Sequence, residues 1–279
     1  MIVREEPDGS LLLINQTEHA KISGLFAAHW GNSEFARPHP YEAVVRAAIF
    51  HDAGWYRYET SPRYDAATGK TPNFMQVPLD HPQLDAFQWA IDWLTEIDPY
   101  AGLLINKHRT GLWRGRYGAI THPAHAYAPH LGPAVESFIA DNEAQQKAQE
   151  QGLDAVELWV NYQLLQFWDL LSLYFCVRPP YQQHVEPVPS RYGGREGVRL
   201  NLTPLGDGRV SIDPYPFDLP SLPISIPYRH LPTAKFAHEA AFRAAYFQAL
   251  PQVMRFEPGV GALTPRRHTH AVFGPPGLQ

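Results

Sequence analysis

The stretch AAIFHDAGW, at residues 47–55, places a potential base, His51, next to an acid, Asp52, at the end of an apolar run. Imidazole nitrogens and carboxylate oxygens are common ligands of divalent transition metals. Adjacent residues on a helix point about 100° apart, so the two side chains would approach a metal from different directions. A carboxylate in that position is also able to bridge two ions. The pair therefore predicts metal-assisted chemistry.

Asp169 and His108 are further polar residues in apolar surroundings. One helical turn to either side of Asp169 lie Leu165 and Leu173, and Leu104 lies one turn before His108. A lone buried carboxylate costs several kcal/mol unless it is protonated, hydrogen-bonded or bound to a cation. Taken singly, each residue also fits a hydrogen-bonded core position. Both side chains therefore need a polar partner.

Together, the polar residues that recur on the inner faces of the predicted helices make a candidate ligand set of His19, His51, Asp52, His81, His108 and Asp169. Helical bundles build metal sites from side chains on facing helices. A set of four histidines and two aspartates suits one or two ions of iron or manganese, with zinc, nickel or magnesium as alternatives. Calcium is not expected, because it prefers oxygen ligands and most of these ligands are nitrogen. His29 competes with His19 for the first position, because both fall near the inner face of one helix.

The helices that must position these residues are predicted from hydrophobic periodicity. A first helix runs from Asn15, with Glu18 completing a capping box, to about Trp30. A second begins near Pro40 and ends at Gly54, which we expect to be a left-handed C-cap. Four more helices follow, over residues 81–97, 99–108, 135–151 and 155–177.

Strands are predicted at both ends of this helical region. Residues 1–14 form a hairpin around the turn Pro7-Asp8-Gly9, and short alternating runs follow Pro180. We expect a mainly α fold, α+β overall: a helical metal-binding domain over 15–180, and a small appended antiparallel sheet. Residues 1–14 and 181–257 would supply this β-rich extension, with one terminal helix packed on it, and 258–279 would be a mobile tail.

Composition narrows the classes of partner. The 279-residue chain has 23 Lys and Arg against 28 Asp and Glu, so that nucleic acid and membrane surfaces are not expected to bind. A single cysteine, Cys176, excludes an intrachain disulfide and fits a reducing cytoplasm. The first 16 residues lack the apolar region of a signal peptide, and the apolar run at 164–177 is too short to span a bilayer. We therefore expect a cytoplasmic protein.

The order of the motifs resembles the HD-domain superfamily of metal-dependent phosphohydrolases, which is named for a His-Asp pair at a helix end. The resemblance covers roughly residues 15–178 and rests on five segments in order: QTEHAKISGLFAAH, AAIFHDAGW, DHPQLDAFQWAIDWL, LLINKH and QFWDLLS. It implies that one ion is held by His19, His51, Asp52 and Asp169. A second ion would be held by His81, His108 and a bridging Asp52.

Two departures limit the resemblance. Lys107-His108 stands where the superfamily's binuclear cyclic-dinucleotide phosphodiesterases usually have two histidines, and their Gly-Tyr-Pro signature is missing. Cyclic dinucleotides are therefore a poor fit as substrates. The β-rich part after residue 180 lies outside the common core and resembles an uncharacterised HD-like family.

The resemblance implies hydrolysis of a small anionic substrate, a phosphomonoester or a phosphodiester. Divalent ions lower the pKa of bound water, which makes hydroxide available for attack on phosphorus. Asp52 and Lys107 are the expected catalytic residues, and Lys107 and Arg109 are expected to bind the phosphoryl oxygens. The sequence assigns neither a general acid nor an oligomeric state.

Two other functions fit the same ligand set. HD-type di-iron oxygenases use four histidines and two aspartates on this type of helical fold to cleave C–C or C–P bonds with dioxygen. A metal-stabilised binding module without turnover is the other alternative, and it predicts a site without an adjoining cavity.

Overall fold

The computed structural model of the protein describes residues 1–77, 79–114, 132–194 and 197–261. Within these ranges the helices are α1 (Gln16–His29), α2 (Tyr41–Phe50), α3 (Tyr56–Thr60), α4 (His81–Ile97), α5 (Pro99–Trp113), α6 (Pro133–Gln149), α7 (Ala155–Cys176) and α8 (Glu239–Gln248). The strands are β1 (Ile2–Glu5), β2 (Leu11–Ile14), β3 (Gln183–Val188), β4 (Val198–Gly206), β5 (Arg209–Asp213), β6 (Ile224–Leu231) and β7 (Pro251–Gly259). None of the described helices has the length and apolarity needed to cross a membrane.

All seven strands join one sheet in the order β1-β2-β6-β7-β5-β4-β3. The β5–β7 pair is parallel and the other pairs are antiparallel, so the sheet is mixed, and it curls into a half-barrel. With 48% helix and 21% strand, the protein is a substantial α+β fold. The prediction of a mainly α fold with a small antiparallel sheet is therefore wrong. Alternating hydrophobicity indicates that a strand exists, but not how many strands will pair into one sheet.

The two ends of the described chain both contribute to this sheet. The predicted N-terminal hairpin is confirmed, with Ile2 opposite Ile14, and Leu11 pairs with Leu231 of β6. At the other end, Pro258 and Gly259 belong to β7, although the tail was expected to begin at residue 258. The rest of that tail, 262–279, lies outside the described residues.

Aromatic side chains join the sheet to the helices. Phe26 of α1 stacks on Phe217 with ring centres 5.5 Å apart, and Phe175 of α7 lies 5.2 Å from Phe256 of β7. Trp30 is almost completely buried in the same cluster. Helix α7 contacts α1, α2, α5 and β3, which places it between the other helices and the sheet. The helices and the sheet therefore share one hydrophobic core.

Gly54 follows the His51-Asp52 pair, but not as the left-handed cap that we expected. Its φ is not positive, and it lies in a short 3-10 turn, Ala53–Trp55. A Cβ atom added to Gly54 would lie 2.5 Å from Phe87 Cδ1 and 2.9 Å from Phe87 Cα. Glycine is therefore needed here because α4 packs directly against the turn that carries the pair.

Glu59 is a buried carboxyl group that ties α3 to the start of α1. It accepts hydrogen bonds from the Gln16 amide and, at 2.7 Å, from the Thr17 hydroxyl. Burial raises the pKa of Glu59 to about 7. Because the folded protein then holds a proton that the unfolded chain has released, the contribution to stability is complete below the ordinary pKa near 4.5 and is lost as the pH rises through 7.

We expect Glu59→Gln to remove this pH dependence. Relative to the variant, the wild type should lose roughly 3 kcal/mol of unfolding free energy between pH 4.5 and pH 7. Urea unfolding followed by circular dichroism at four pH values measures the difference. The exposed Glu34 provides the control variant Glu34→Gln. If both variants followed the wild-type pH profile, the buried Glu59 would not be the titrating group.

Candidate metal centre

Three buried side chains from α1, the end of α2, and α7 lie close together. His19, His51 and Asp169 each offer one ligand atom, and these atoms lie within 4.8 Å of one another. His51 Nε2 is 3.4 Å from Asp169 Oδ1, and His19 Nδ1 is 3.6 Å from the same oxygen. Donors at about 2.1 Å from one ion and at right angles lie about 3 Å apart. The spacing of His51 Nε2 and Asp169 Oδ1 is therefore close to that of two ligands sharing a cation.

Asp52 and His108 border this group. Asp52 Oδ2 lies 2.9 Å from His19 Nε2 and 3.9 Å from His51 Nε2. His108 Nε2 lies 3.6 Å from Asp169 Oδ2, and the rings of His51 and His108 meet edge to face at 5.0 Å. The structure thus brings together five of the six residues expected as ligands.

Hydrogen bonds on the outer side fix the histidine rings. His51 Nδ1 donates to the Ala48 carbonyl oxygen at 2.8 Å, so a neutral His51 presents its Nε2 lone pair to the group. The Ser172 hydroxyl donates its one hydrogen to the Asp169 main-chain oxygen at 2.8 Å. Its oxygen therefore accepts the hydrogen bond from His19 Nδ1 at 2.7 Å. The lone pair of a neutral His19 is then on Nε2, which faces Asp52.

The donor atoms and their partners show whether a metal ion suits this site. His51 Nε2 has no hydrogen-bond partner that meets normal geometry in the described part of the chain. His19 Nε2 and His51 Nε2 both face carboxylate oxygens, and a lone pair facing a carboxylate needs a proton or a cation between them. Two imidazoles and two carboxylates in this relation are a donor set that iron, manganese and zinc accept. The residues present therefore fit a divalent transition metal.

The charge states of these side chains also suit a divalent cation. Burial by itself would raise the pKa of Asp52, but His51 and Arg109 outweigh it and hold that pKa well below its usual range. Burial lowers the pKa of His51, yet the two carboxylates more than compensate and raise it. Burial lowers the pKa of His108 to about 3, which leaves the neutral imidazole that metals bind. Metal uptake would therefore displace protons from the site.

His81 and His29 lie elsewhere. His81 is the exposed first residue of α4, so it does not join the group, and its expected role as a ligand of a second ion is corrected. His29, the alternative to His19, pairs with Asp218 at 2.9 Å. Within the described residues, the converging donors fit one ion.

The two cations expected to bind substrate point in different directions. Arg109 donates to Asp52 Oδ1 and lies over the Phe87 ring at 4.1 Å. Lys107 pairs with Glu150 at 2.5 Å and lines a separate small cavity, so its expected catalytic and substrate-binding roles are corrected. The reason is helical geometry, because Lys107 leaves α5 about 100° away from its neighbour His108.

A cavity of about 500 Å³ adjoins the group. His19, Asp52, His108, Asp169 and Arg109 all line it. Most of the remaining wall is apolar and includes Trp55, Phe87, Trp113, Leu170 and Leu173. Four of the five donors therefore border a cavity whose volume is typical of ligand sites.

A family model described as a protein of unknown function, DUF3891, matches residues 1–233. The chain belongs to the DUF3891 family. The part that matches the DUF3891 model contains all five converging donors and Arg109. Neither the curated proteins nor the solved structures gave a match to the chain.

Three residues of the DUF3891 site were missed in the sequence. Ser172 lies three positions after Asp169 in QFWDLLS, which puts both on one face of α7, and this spacing was the available signal. Gln16 lies three positions before His19 on α1 and lines the cavity. Trp55 also lines it, but an aromatic residue after a glycine carries no such signal.

We expect Ser172→Ala to weaken metal binding by 10- to 100-fold, roughly the usual effect of removing a partner that orients a histidine ligand. Without the hydroxyl, His19 Nδ1 loses its acceptor and the ring is no longer fixed. Competition with a metal-binding dye measures the affinity. Ser137→Ala, on the exposed face of α6, is the control and should bind metal as the wild type does. Equal affinities for both variants would contradict the orienting role.

Proposed function

We propose that the protein is an HD-type, metal-dependent phosphohydrolase that acts on a small phosphomonoester or phosphodiester. The observation that supports this most is the convergence of His19, His51, Asp52 and Asp169 beside a cavity that Arg109 also lines. The chain order His, His-Asp, Asp resembles the HD pattern. Iron or manganese is the proposed ion, with zinc, nickel or magnesium as alternatives.

The chain's own groups have separable roles in this proposal. A divalent ion, when bound, would lower the pKa of a water molecule and neutralise charge on a phosphoryl group. Asp52 has one oxygen toward the histidines and the other on the Arg109 guanidinium. Arg109 is thereby held beside the donors on the wall of the cavity, where its remaining N–H groups would bind phosphoryl oxygens. Such fixed positive charge stabilises the charge that develops during phosphoryl transfer.

The same contacts favour hydrolysis over the di-iron chemistry. A second ion would need the Asp52 oxygen that Arg109 occupies and the His81 ring that is exposed on α4. A guanidinium beside the ion is instead suited to an anionic substrate. The adjoining cavity argues against a metal-stabilised binding module without turnover.

A second candidate function is an iron-dependent oxygenase that cleaves a C–C or C–P bond. One observation favours it: two histidines and one carboxylate, His19, His51 and Asp169, form the compact group, and this is the ligand set of many non-haem iron oxygenases. Asp52 makes the set more carboxylate-rich than that triad.

Phosphate release and oxygen consumption by one preparation distinguish the two functions. The protein is loaded with manganese or with iron and tested on a panel of phosphomonoesters and phosphodiesters, and the iron form is also tested with organophosphonates in an oxygen electrode. We expect phosphate-ester hydrolysis in the absence of oxygen, abolished in Asp52→Ala. Oxygen uptake with a phosphonate and no hydrolysis of any ester would favour the oxygenase. Because the lone Cys176 is buried and no disulfide is formed, we propose that the enzyme works in the cytoplasm.

A further inference from the structure

We infer that the substrate joins its phosphate to a mainly apolar group, aryl or alkyl. The inference rests on the proposed function and names the substrate class of the same site. Sugar phosphates and nucleotides are the substrates that it excludes.

The cavity wall is the first argument. Beyond the donors, it is formed largely by aromatic and aliphatic side chains such as Phe87, Trp113 and Leu173. Among the polar residues in the wall, the Tyr174 hydroxyl donates to the Tyr181 carbonyl and the Tyr181 hydroxyl donates to Gln183. A sugar would bring several hydroxyl groups into this space, and the largely apolar wall would leave most of them without water and without a partner. An apolar group would instead gain from leaving water.

Arg109 fixes which end of the substrate faces the metal. It is buried against Phe87 and held by Asp52, so its charge stays at the donor end of the cavity. The phosphate must lie there, next to the ion and the guanidinium. The rest of the molecule then extends along the apolar wall.

Binding of alkylphosphonates tests the apolar part without requiring turnover. Calorimetry on the metal-loaded protein compares ethyl-, butyl- and hexylphosphonate with ribose 5-phosphate. We expect the affinity to rise about fourfold for each added methylene, the usual gain from burying one. Leu173→Gln, a partly buried position in the wall, should remove this dependence on chain length. Val156→Gln, at an exposed site on the same helix, should keep it.

The outcomes separate this inference from the proposed function. Equal affinity along the alkyl series, or tighter binding of ribose 5-phosphate, would overturn the inference even if short phosphate esters were hydrolysed. The expected chain-length dependence together with a failure to hydrolyse any ester would uphold the inference about the ligand and reject the hydrolase.

Discussion

Asp169→Asn will purify with little or no bound metal while remaining folded. The substitution keeps the shape of the side chain but removes the charge that faces His51 Nε2 at 3.4 Å and His108 Nε2 at 3.6 Å. Because loss of a partner that only orients a ligand costs roughly 10- to 100-fold in affinity, loss of this carboxylate should cost at least about 100-fold. Mass spectrometry of the metal content after gel filtration measures the change, and circular dichroism checks the fold.

The matched control for this experiment is Asp141→Asn on the exposed face of α6. It makes the same chemical change at an exposed position and should retain full metal content. If Asp169→Asn kept as much metal as this control, the ion would lie elsewhere and the group of His19, His51 and Asp169 would be a hydrogen-bonded core cluster.

Arg109→Lys will lower kcat by about 100- to 1,000-fold and leave the metal in place. Lysine keeps the positive charge, but it lacks the planar set of donors that can bind Asp52 and a phosphoryl oxygen at once. Another cation of α5 supplies the comparison, because Lys107, two positions before Arg109, points to Glu150 and lines a different cavity. Lys107→Gln should therefore change kcat less than about threefold, within the effect of one lost surface pair.

Steady-state kinetics with one ester and the same metal measure both variants. A larger loss in Lys107→Gln than in Arg109→Lys would restore the role that the sequence suggested for Lys107. Equal and small losses would mean that no cation of α5 contributes to the reaction.

The sequence predicted which buried polar residues come together better than it predicted the direction of individual side chains. Asp52 and Asp169 stood out because a carboxylate among apolar residues needs a partner, and the structure places both beside histidines. The prediction that His81 is a metal ligand was wrong. The Asp80 side chain caps α4 by accepting a hydrogen bond from the Gln83 amide, and His81, the first residue of the helix, is left exposed. The resemblance of this segment to a known motif matched the type of the residue, but it did not predict where the side chain points.

The extent of the sheet could not be predicted from the sequence for a different reason. Each strand of the predicted hairpin could be found from its own alternation, and the hairpin turn was local. The closing strand β7, Pro251–Gly259, contains two prolines and pairs in parallel with β5 and antiparallel with β6. Such pairing depends on residues far apart in the chain, and no local pattern specifies it. The extent of the sheet was therefore underestimated.

X-ray absorption spectroscopy combined with elemental analysis tests the central claim most directly. The protein, reconstituted with iron or manganese and passed over a desalting column, should hold one ion per chain with a first shell of histidine nitrogens and carboxylate oxygens. Asp169→Asn, treated identically, should lose that signal. Retention of no transition metal by the wild type, or of two ions per chain, would contradict a single metal site at His19, His51, Asp52 and Asp169.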